Sequence, residues 1–213
     1  QEIASTVENI VKEIVNNPEK LSLGGDEKYI TAFFTDIKDF SSLSEKLSPK
    51  MLVAILNEYL TVHSNIILEL GGTIDKYIGD AIVAFFGAPI ENPLHAYQAC
   101  AAAIKMRNAE KILNKKLKED YNIPDPITTR FGINTGNMVI GNMGTNMKMN
   151  YTIMGNAVNL ASRLEGVNKV YHSHILVSEE TWLQANKDEY KDTIVAKPLD
   201  KVRVLGIEKP VQL

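Results

Sequence analysis

The spacing of apolar side chains along the chain predicts several helices. After Ser48-Pro49, apolar residues recur at helical spacing as far as Gly71-Gly72, and a serine followed by a proline is typical of a helix start. A second long helix is predicted after Asn92-Pro93, apolar in its first half and rich in lysine in its second. Shorter helices are predicted over residues 156–166 and after Ser178.

Apolar runs bounded by turn residues predict strands between these helices. Residues 29–36 form one buried strand, and turn residues at Gly79-Asp80 and Thr135-Gly136 predict two hairpins. The other predicted strands are the hairpin arms 73–78, 81–86, 128–134 and 138–142, a short strand at 175–177, and two late strands near 193–197 and 201–205. Strands joined by hairpins, with helices between them, predict an α+β fold with a mainly antiparallel sheet flanked by helices.

The first residues predict a separate N-terminal helix. Ile3, Val7, Ile10 and Ile14 recur at spacings of four, three and four residues, which is a coiled-coil rhythm. Two interpretations stay open: this helix packs on its own domain, or it connects the domain to an upstream sensor. We expect an N-terminal connector helix and linker over residues 1–26 and one folded domain over residues 27–213.

Composition limits the classes of protein and partner. The chain has 213 residues, of which 45% are hydrophobic, and a formal net charge of −3. This is enough for one domain with a full core, and the charge gives no reason to expect a nucleic acid as partner. Cys100 is the only cysteine, so we expect a buried thiol and a reducing, cytoplasmic location for the domain, whether or not the parent protein is anchored to a membrane.

Two carboxylates are candidates for chemistry. Asp36 ends an apolar strand, and Asp80 lies in the tip of a predicted hairpin. A strand, a helix and a hairpin in that order can bring both side chains to one edge of the sheet. Paired carboxylates repel each other unless they are protonated or bridged by cations, and divalent cations prefer oxygen ligands. The alternatives are two solvated turn residues or a site for two divalent cations that promote phosphoryl displacement.

The helix predicted from Asn156 carries a polar stripe of unusual composition. At about 100° per residue, Asn156, Asn159 and Arg163 share one side of the helix, beside a small apolar face. A solvated face remains an alternative, although such faces usually carry lysine and glutamate. Because arginine is well suited to phosphate oxygens, the stripe is a candidate phosphate-binding element.

Four segments together resemble the class III nucleotidyl cyclases, and they occur in that family's order over roughly residues 28–210. They read Phe34-Thr35-Asp36-Ile37-Lys38-Asp39-Phe40-Ser41, Gly72-Thr73-Ile74-Asp75-Lys76-Tyr77-Ile78-Gly79-Asp80, Arg130-Phe131-Gly132-Ile133-Asn134-Thr135-Gly136 and Gly155-Asn156-Ala157-Val158-Asn159-Leu160-Ala161-Ser162-Arg163. The resemblance implies a ferredoxin-like core (βαββαβ) with C-terminal additions. It also implies adenylate cyclase activity, which converts ATP into 3′,5′-cyclic AMP and pyrophosphate.

The resemblance further implies a metal site and a substrate site. Asp36, Asp80 and the Ile37 carbonyl would hold two divalent cations, Mg²⁺ or Mn²⁺, and Phe40 and Ser41 would contact the substrate. One cation would lower the pKa of the ribose 3′-hydroxyl, and the other would neutralise the triphosphate.

The same resemblance implies a homodimer. Asn159 would orient the ribose, and Arg163 would stabilise charge on the α-phosphate as it builds up. In the family these two residues come from one subunit and the two aspartates from the other, so the active sites would lie at a twofold interface. Five methionines between Met138 and Met154 fit either adaptable core packing or an arm across this interface.

Two residues align with the family's purine-selecting pair, Lys76 and Thr152. A lysine ammonium can only donate, so it suits the adenine N1 acceptor, while the threonine hydroxyl can accept from the adenine 6-amino group. Guanine would present its N1–H to the lysine, and such mismatches are costly. Thr152 in place of the commoner aspartate resembles the subgroup that includes bicarbonate-responsive soluble cyclases.

One position departs from the family pattern. A lysine expected to contact the terminal phosphates is replaced by Leu205, so either Arg203 or Lys201 substitutes for it or triphosphate binding is weaker. We therefore expect a high KM for ATP. The alternatives to an adenylate cyclase are a guanylyl or mixed-specificity cyclase, a cyclase-like regulatory module that binds nucleotide without turnover, and an unrelated small-molecule-binding α+β domain.

Overall fold

The computed structural model describes residues 23–123, 125–145, 147–203 and 210–213. Its elements, in chain order, are β1 (Gly24–Ile37), α1 (Phe40–Glu45), α2 (Pro49–Glu69), β2 (Gly72–Ile78), β3 (Ala81–Phe86), α3 (His95–Tyr121), β4 (Thr129–Thr145), β5 (Lys148–Met154), α4 (Asn156–Tyr171), β6 (Ile175–Val177), α5 (Glu179–Ala185), a 3₁₀ turn (Asp188–Tyr190), β7 (Lys201–Val202) and β8 (Val211–Gln212). The predicted N-terminal helix with Ile3 and Ile14 lies outside the described residues.

The main sheet has the order β2-β3-β1-β4-β5, and β6 pairs with β4. All pairings are antiparallel except that of β6, which runs parallel to β4. The first four strands with helices α2 and α3 form the βαββαβ ferredoxin-like arrangement that the sequence predicts, and this α+β prediction is confirmed. The C-terminal additions include β6, α5 and a small two-stranded sheet of β7 and β8.

Local signals placed several elements correctly. Ser48 caps α2, with its side chain accepting from the Met51 N–H, and Ser178 caps α5 in the same way. The turn between β2 and β3 is a hairpin, and Gly79 adopts a φ of 63° there, which glycine does at no steric cost. The predicted burial of the Cys100 thiol is also confirmed, and the residue lies on α3.

The predicted hairpin at Thr135-Gly136 is wrong, because β4 runs through these residues without a turn. The strand pairs with β1 over its whole central length, including Thr31 with Thr135 and Ile30 with Gly136. The Thr135 and Thr31 hydroxyls form a hydrogen bond of 2.7 Å inside the sheet. A Cβ at Gly136 would lie 3.3 Å from the Ala157 Cβ, so this glycine serves close packing of α4 rather than a turn.

The structure differs from the predicted strands at two other places, after β4 and before β7. Strand β5 was not predicted, although it pairs with β4 from Val139–Met154 to Thr145–Lys148. Residues 193–197 form no strand in the structure. Of the predicted strand 201–205 the structure describes residues 201–203, in which Lys201–Val202 pairs with Val211–Gln212. Leu205 itself lies outside the described residues.

The core lies between the sheet and helices α2 and α3. Phe33, Tyr59, Met106 and Phe131 are fully buried there. Of the described helices, α2 alone is long and apolar enough to cross a membrane by length and composition, with a mean hydropathy of 1.4. Core helices pass the same test, and α2 packs Ile55, Tyr59 and Ile67 into this core.

Candidate active site

The two candidate carboxylates meet at one edge of the sheet. Asp36 is the penultimate residue of β1, and Asp80 lies in the turn between β2 and β3. Because β3 pairs antiparallel with β1, this turn lies beside the C-terminal end of β1. The Ile37 main-chain N–H donates a hydrogen bond of 3.0 Å to Asp80 Oδ2. The predicted convergence of Asp36 and Asp80 is therefore present in the fold, with Ile37 between them.

The pKa of Asp80 reflects both its burial and the repulsion between the two carboxylates. Burial, and then the neighbouring charge of Asp36, raise the pKa of Asp80 from 3.8 to about 6. A bound cation would relieve this repulsion, and carboxylate oxygens are the ligands that Mg²⁺ and Mn²⁺ prefer. Among the described residues no cluster of three or more His, Cys, Asp or Glu side chains could hold a metal, so main-chain carbonyl, water or substrate oxygens would complete the coordination.

A buried arginine that the sequence did not single out also reaches this site. Arg130 on β4 donates from Nη2 to Asp36 Oδ2 at 2.9 Å and from Nε to Glu165 Oε1 at 2.6 Å. Its side chain is 6% exposed, so the guanidinium is largely shielded from water between two carboxylates. The available signal was an arginine within the apolar run that became β4, since such a residue needs partners when buried.

The packing of α4 separates its residues into two groups. Glu165 faces β4 and Arg130, and α4 lies so close to β4 that a Cβ at Gly132 would fall 2.1 Å from the Ala161 carbonyl oxygen. Arg163 is two residues from Glu165, or about 200° around the helix. Arg163 is only partly buried and Asn159 is exposed.

The polar stripe therefore faces away from the carboxylates of its own chain. Ala161 and Leu164 are fully buried against the sheet, whereas Asn156 and Asn159 are exposed. Within the part of the chain that the structure describes, the Asn159 and Arg163 side chains form no hydrogen bond. The predicted roles of Asn159 and Arg163 stay predictions.

The two predicted purine-selecting residues are in contact. Lys76 Nζ on β2 lies 3.2 Å from Thr152 Oγ1 on β5, although β2 and β5 are at opposite ends of the strand order. The β4–β5 pair folds back over the sheet, as a contact between the Phe85 and Tyr151 rings also shows. Sequence reasoning assigned nothing to Asp75, which accepts a 2.6 Å hydrogen bond from Thr152 Oγ1.

The remaining predicted substrate residues lie at the start of α1, directly after the end of β1. The Phe40 ring packs against the core, and Ser41 is exposed with its carbonyl accepting from the Ser44 hydroxyl. Asp39 occupies the N-cap position in a left-handed conformation, with no side-chain cap. Substrate contact by Phe40 and Ser41, and metal binding by the Ile37 carbonyl, stay predictions.

Comparison with known families and proteins matches nearly the whole domain. Residues 25–212 match the model of the adenylate and guanylate cyclase catalytic domain. Adenylate cyclase 1 of Rhizobium meliloti is 37% identical over 177 residues, which is 83% of this chain. The match covers only 26% of that relative, so the chain corresponds to about a quarter of its length.

Solved cyclase structures share the fold over most of their length. The adenylyl cyclase CyaB from P. aeruginosa superimposes with a TM-score of 0.79 and 39% identity, covering 89% of this chain and 94% of that chain. The guanylyl cyclase Cya2 gives the same TM-score with 33% identity, covering 89% and 92%. Because both kinds of cyclase match equally well in shape, the backbone alone does not decide which purine is used.

Proposed function

Because this chain belongs to the adenylate and guanylate cyclase catalytic-domain family, we propose that it converts ATP into 3′,5′-cyclic AMP and pyrophosphate. The observation that carries the proposal is the meeting of Asp36 and Asp80 at the end of β1. Asp36 is paired with Arg130, but Asp80 has no ion-pair partner among the described residues, and its position beside Asp36 is unfavourable unless a cation or a proton is present. Such an arrangement is typical of a functional site.

In this proposal Asp36 and Asp80 hold two divalent cations, with the Ile37 carbonyl as a further ligand. Cations held by these residues would lower the pKa of the ribose 3′-hydroxyl and neutralise the charge on the phosphates. The 3′-hydroxyl would lose its proton to solvent and its oxygen would attack the α-phosphorus, while the bond from that phosphorus to the bridging oxygen of the β-phosphate breaks and pyrophosphate leaves. Arg130 holds Asp36 in place through its guanidinium, which limits the orientations that this carboxylate can adopt.

The proposal includes a homodimer, supported by the direction of the α4 stripe. Asn159 and Arg163 point away from their own carboxylates, so a second copy supplies them: Asn159 orients the ribose and Arg163 stabilises the charge that builds on the α-phosphate. Large apolar side chains near the site are available for the interface. They are Tyr77 and Ile78 at the β2–β3 turn and Val139, Met149 and Met154 on the β4–β5 arm.

Adenine is the proposed base because Lys76 is a donor and guanine would present a second donor to it. The Lys76 ammonium and the Thr152 hydroxyl lie together at 3.2 Å, as a shared purine site requires. A guanylyl cyclase remains the second candidate, since the guanylyl cyclase Cya2 has the same fold. A regulatory module without turnover is disfavoured by the presence of both aspartates, Asn159 and Arg163.

The proposal also covers the affinity for ATP and the place of the domain in the cell. With Leu205 in place of a lysine, Arg203 or Lys201 contacts the terminal phosphates or the KM for ATP is high; Lys201 is exposed on β7 and free to reach outwards. The domain acts in the cytoplasm, where ATP and reducing conditions are available, and it is controlled by an upstream sensor.

The proposal is tested by turnover of purified protein with ATP or GTP in the presence of Mn²⁺ or Mg²⁺. We expect cyclic AMP from wild type, a loss of roughly hundredfold or more in Asp36→Ala, and a shift towards GTP in Lys76→Glu. Asp26→Ala is the matched control, because Asp26 is an exposed aspartate on the same strand, distant from Asp80. No cyclic nucleotide from either substrate, in wild type, would leave the regulatory module as the better function.

A further inference from the structure

A β-bulge on β2 brings an acidic side chain to the Lys76–Thr152 pair. The register between β2 and β3 shifts between Ile74 and Lys76, so Asp75 is an extra residue in the strand. Successive residues of a regular strand point to opposite faces, but a bulge re-aims one of them. As a result, the Asp75 and Lys76 side chains both reach Thr152.

The hydrogen bonds give the Thr152 hydroxyl one defined direction. Thr152 Oγ1 donates to Asp75 Oδ2 at 2.6 Å and accepts from Lys76 Nζ at 3.2 Å. A hydroxyl has one proton and two lone pairs. The hydroxyl proton is used in the bond to Asp75, and one lone pair accepts from Lys76. One lone pair remains on the oxygen, so towards a ligand the hydroxyl can only accept a hydrogen bond.

We propose that Asp75 is a specificity-determining positioning residue, which orients the Thr152 hydroxyl so that it accepts from the 6-amino group of adenine and cannot donate to a 6-oxo group. This inference rests on the proposed function, because it concerns the purine site assigned there to Lys76 and Thr152. Without Asp75 the hydroxyl could rotate and serve either an amino or an oxo group.

The burial of Asp75 supports a directed role. Its side chain is 1% exposed, and its second oxygen, Oδ1, has no hydrogen-bond partner and lies 3.5 Å from Lys76 Nζ. A buried carboxylate with an incomplete set of partners costs stability, so packing alone does not explain an aspartate here. The same carboxylate holds the Lys76 ammonium beside Thr152, where the N1 atom of adenine would meet it.

The test compares ATP with two analogues that keep the N1 acceptor. Purine riboside triphosphate has no group at position 6, and 6-methoxypurine riboside triphosphate has an acceptor there. Wild type is expected to prefer ATP over the 6-methoxy analogue in kcat/KM by roughly ten- to hundredfold. Asp75→Asn is expected to reduce this preference about tenfold, because its amide can donate to Thr152 and release the hydroxyl proton. Purine riboside triphosphate, which meets Lys76 at N1 but has no group at position 6, is the reference against which this change is measured.

Two controls separate this role from a structural one. Thr73→Val removes another β2 hydroxyl, which donates to the Ala88 carbonyl away from the purine pair, and should leave the ATP preference unchanged. In a Thr152→Val background, Asp75→Asn should no longer alter the preference. An equal loss of kcat/KM for all three nucleotides in Asp75→Asn would overturn the inference.

The inference stays testable if Asp75→Asn does not fold or if the enzyme proves inactive. Wild type that uses the 6-methoxy analogue as well as ATP would contradict an oriented hydroxyl, whatever the variant does. Should wild type make no cyclic nucleotide, the proposed function fails. Affinities of the three nucleotides in the presence of Mn²⁺, measured by calorimetry, would then still decide the role of Asp75, with equal affinities for all three counting against it.

Discussion

The Ile37 main-chain N–H donates to Asp80 Oδ2 at 3.0 Å and thereby holds the tip of one hairpin against the end of the neighbouring strand. This bond keeps the Asp80 carboxylate beside Asp36, although burial and then the neighbouring charge of Asp36 raise the pKa of Asp80 to about 6. The fold thus holds Asp80 in an electrostatically unfavourable position, and activity and stability should change in opposite directions when Asp80 alone is neutralised.

Asp80→Asn tests this opposition. The amide oxygen can still accept from the Ile37 N–H, while the negative charge next to Asp36 disappears. Activity should fall roughly hundredfold or more, whereas the free energy of unfolding at pH 8 should rise by an amount on the order of 1 kcal/mol, since the site is partly solvated and screened. Turnover and urea denaturation measure the two effects; a clear loss of stability would contradict the unfavourable pairing.

Divalent cations should stabilise the wild type without any nucleotide. A cation at about one hundred times its dissociation constant adds about 2.7 kcal/mol to the free energy of unfolding. Mn²⁺ should therefore raise the melting temperature of wild type and of the Asp26→Asn control by a few degrees, but not that of Asp36→Asn. Equal shifts in all three proteins would show that Mn²⁺ binds elsewhere.

Two inactive variants should restore activity when they are mixed. In the proposed homodimer, Asp36→Ala and Arg163→Ala would each remove one half of a site that two subunits build together. In a random mixture, half of the dimers are mixed and each has one intact site, so about a quarter of wild-type activity should return. Turnover measured at increasing times after mixing follows the exchange of subunits between dimers. No recovery, with subunit exchange verified by a labelled protomer, would place Arg163 and Asp36 in sites of a single chain.

Gly132 should tolerate no side chain. A Cβ there would lie 2.1 Å from the Ala161 carbonyl oxygen and 2.2 Å from the Glu165 nitrogen, so α4 must move away from β4. We expect Gly132→Ala to lower the free energy of unfolding by about 3 kcal/mol or more. Gly166→Ala, on the same helix with nothing within 4 Å of its added Cβ, should instead raise it by about 0.5–1 kcal/mol. Chemical denaturation of both variants distinguishes these signs.

His63 should make the protein less stable in mild acid. Burial lowers the pKa of His63 to about 4, and its ring packs on Tyr59 with a centroid distance of 4.2 Å. Because the unfolded chain binds a proton with a pKa near 6.5, stability is lost as pH falls from about 6.5 to 4, by up to about 3 kcal/mol.

The His63→Phe variant keeps an aromatic ring on Tyr59 but cannot be protonated, so this part of the acid sensitivity should disappear. His172→Asn is the control, because His172 is exposed at the C-terminal cap of α4 in a left-handed conformation that asparagine also adopts. Denaturation at pH 7.5 and pH 5 measures the difference. An unchanged difference in His63→Phe would show that other groups cause the loss in acid.

The sequence predicted most of what depends on near neighbours in the chain. The cap at Ser48, the hairpin with Gly79 at its turn and the stripe of Asn159 and Arg163 all follow from spacings of a few residues. The α+β class followed from the order of these elements. The order strand, helix and hairpin also allowed Asp36 and Asp80 to meet, as they do in the fold, and the resemblance to the cyclases added their predicted role as metal ligands.

Contacts between distant segments were decided only by the tertiary structure. Thr152 and Asp75 are 77 positions apart, and their contact needs both a bulge in β2 and the folding of β5 back over the sheet. Arg130 contacts Asp36 because the register of β1 with β4 places the two residues opposite each other. The same pairing keeps the chain extended at Gly136, where the local sequence predicted a turn. Local spacing limits which way a side chain can point, whereas strand register and sheet curvature determine what it meets, and these arise from the packing of the whole domain.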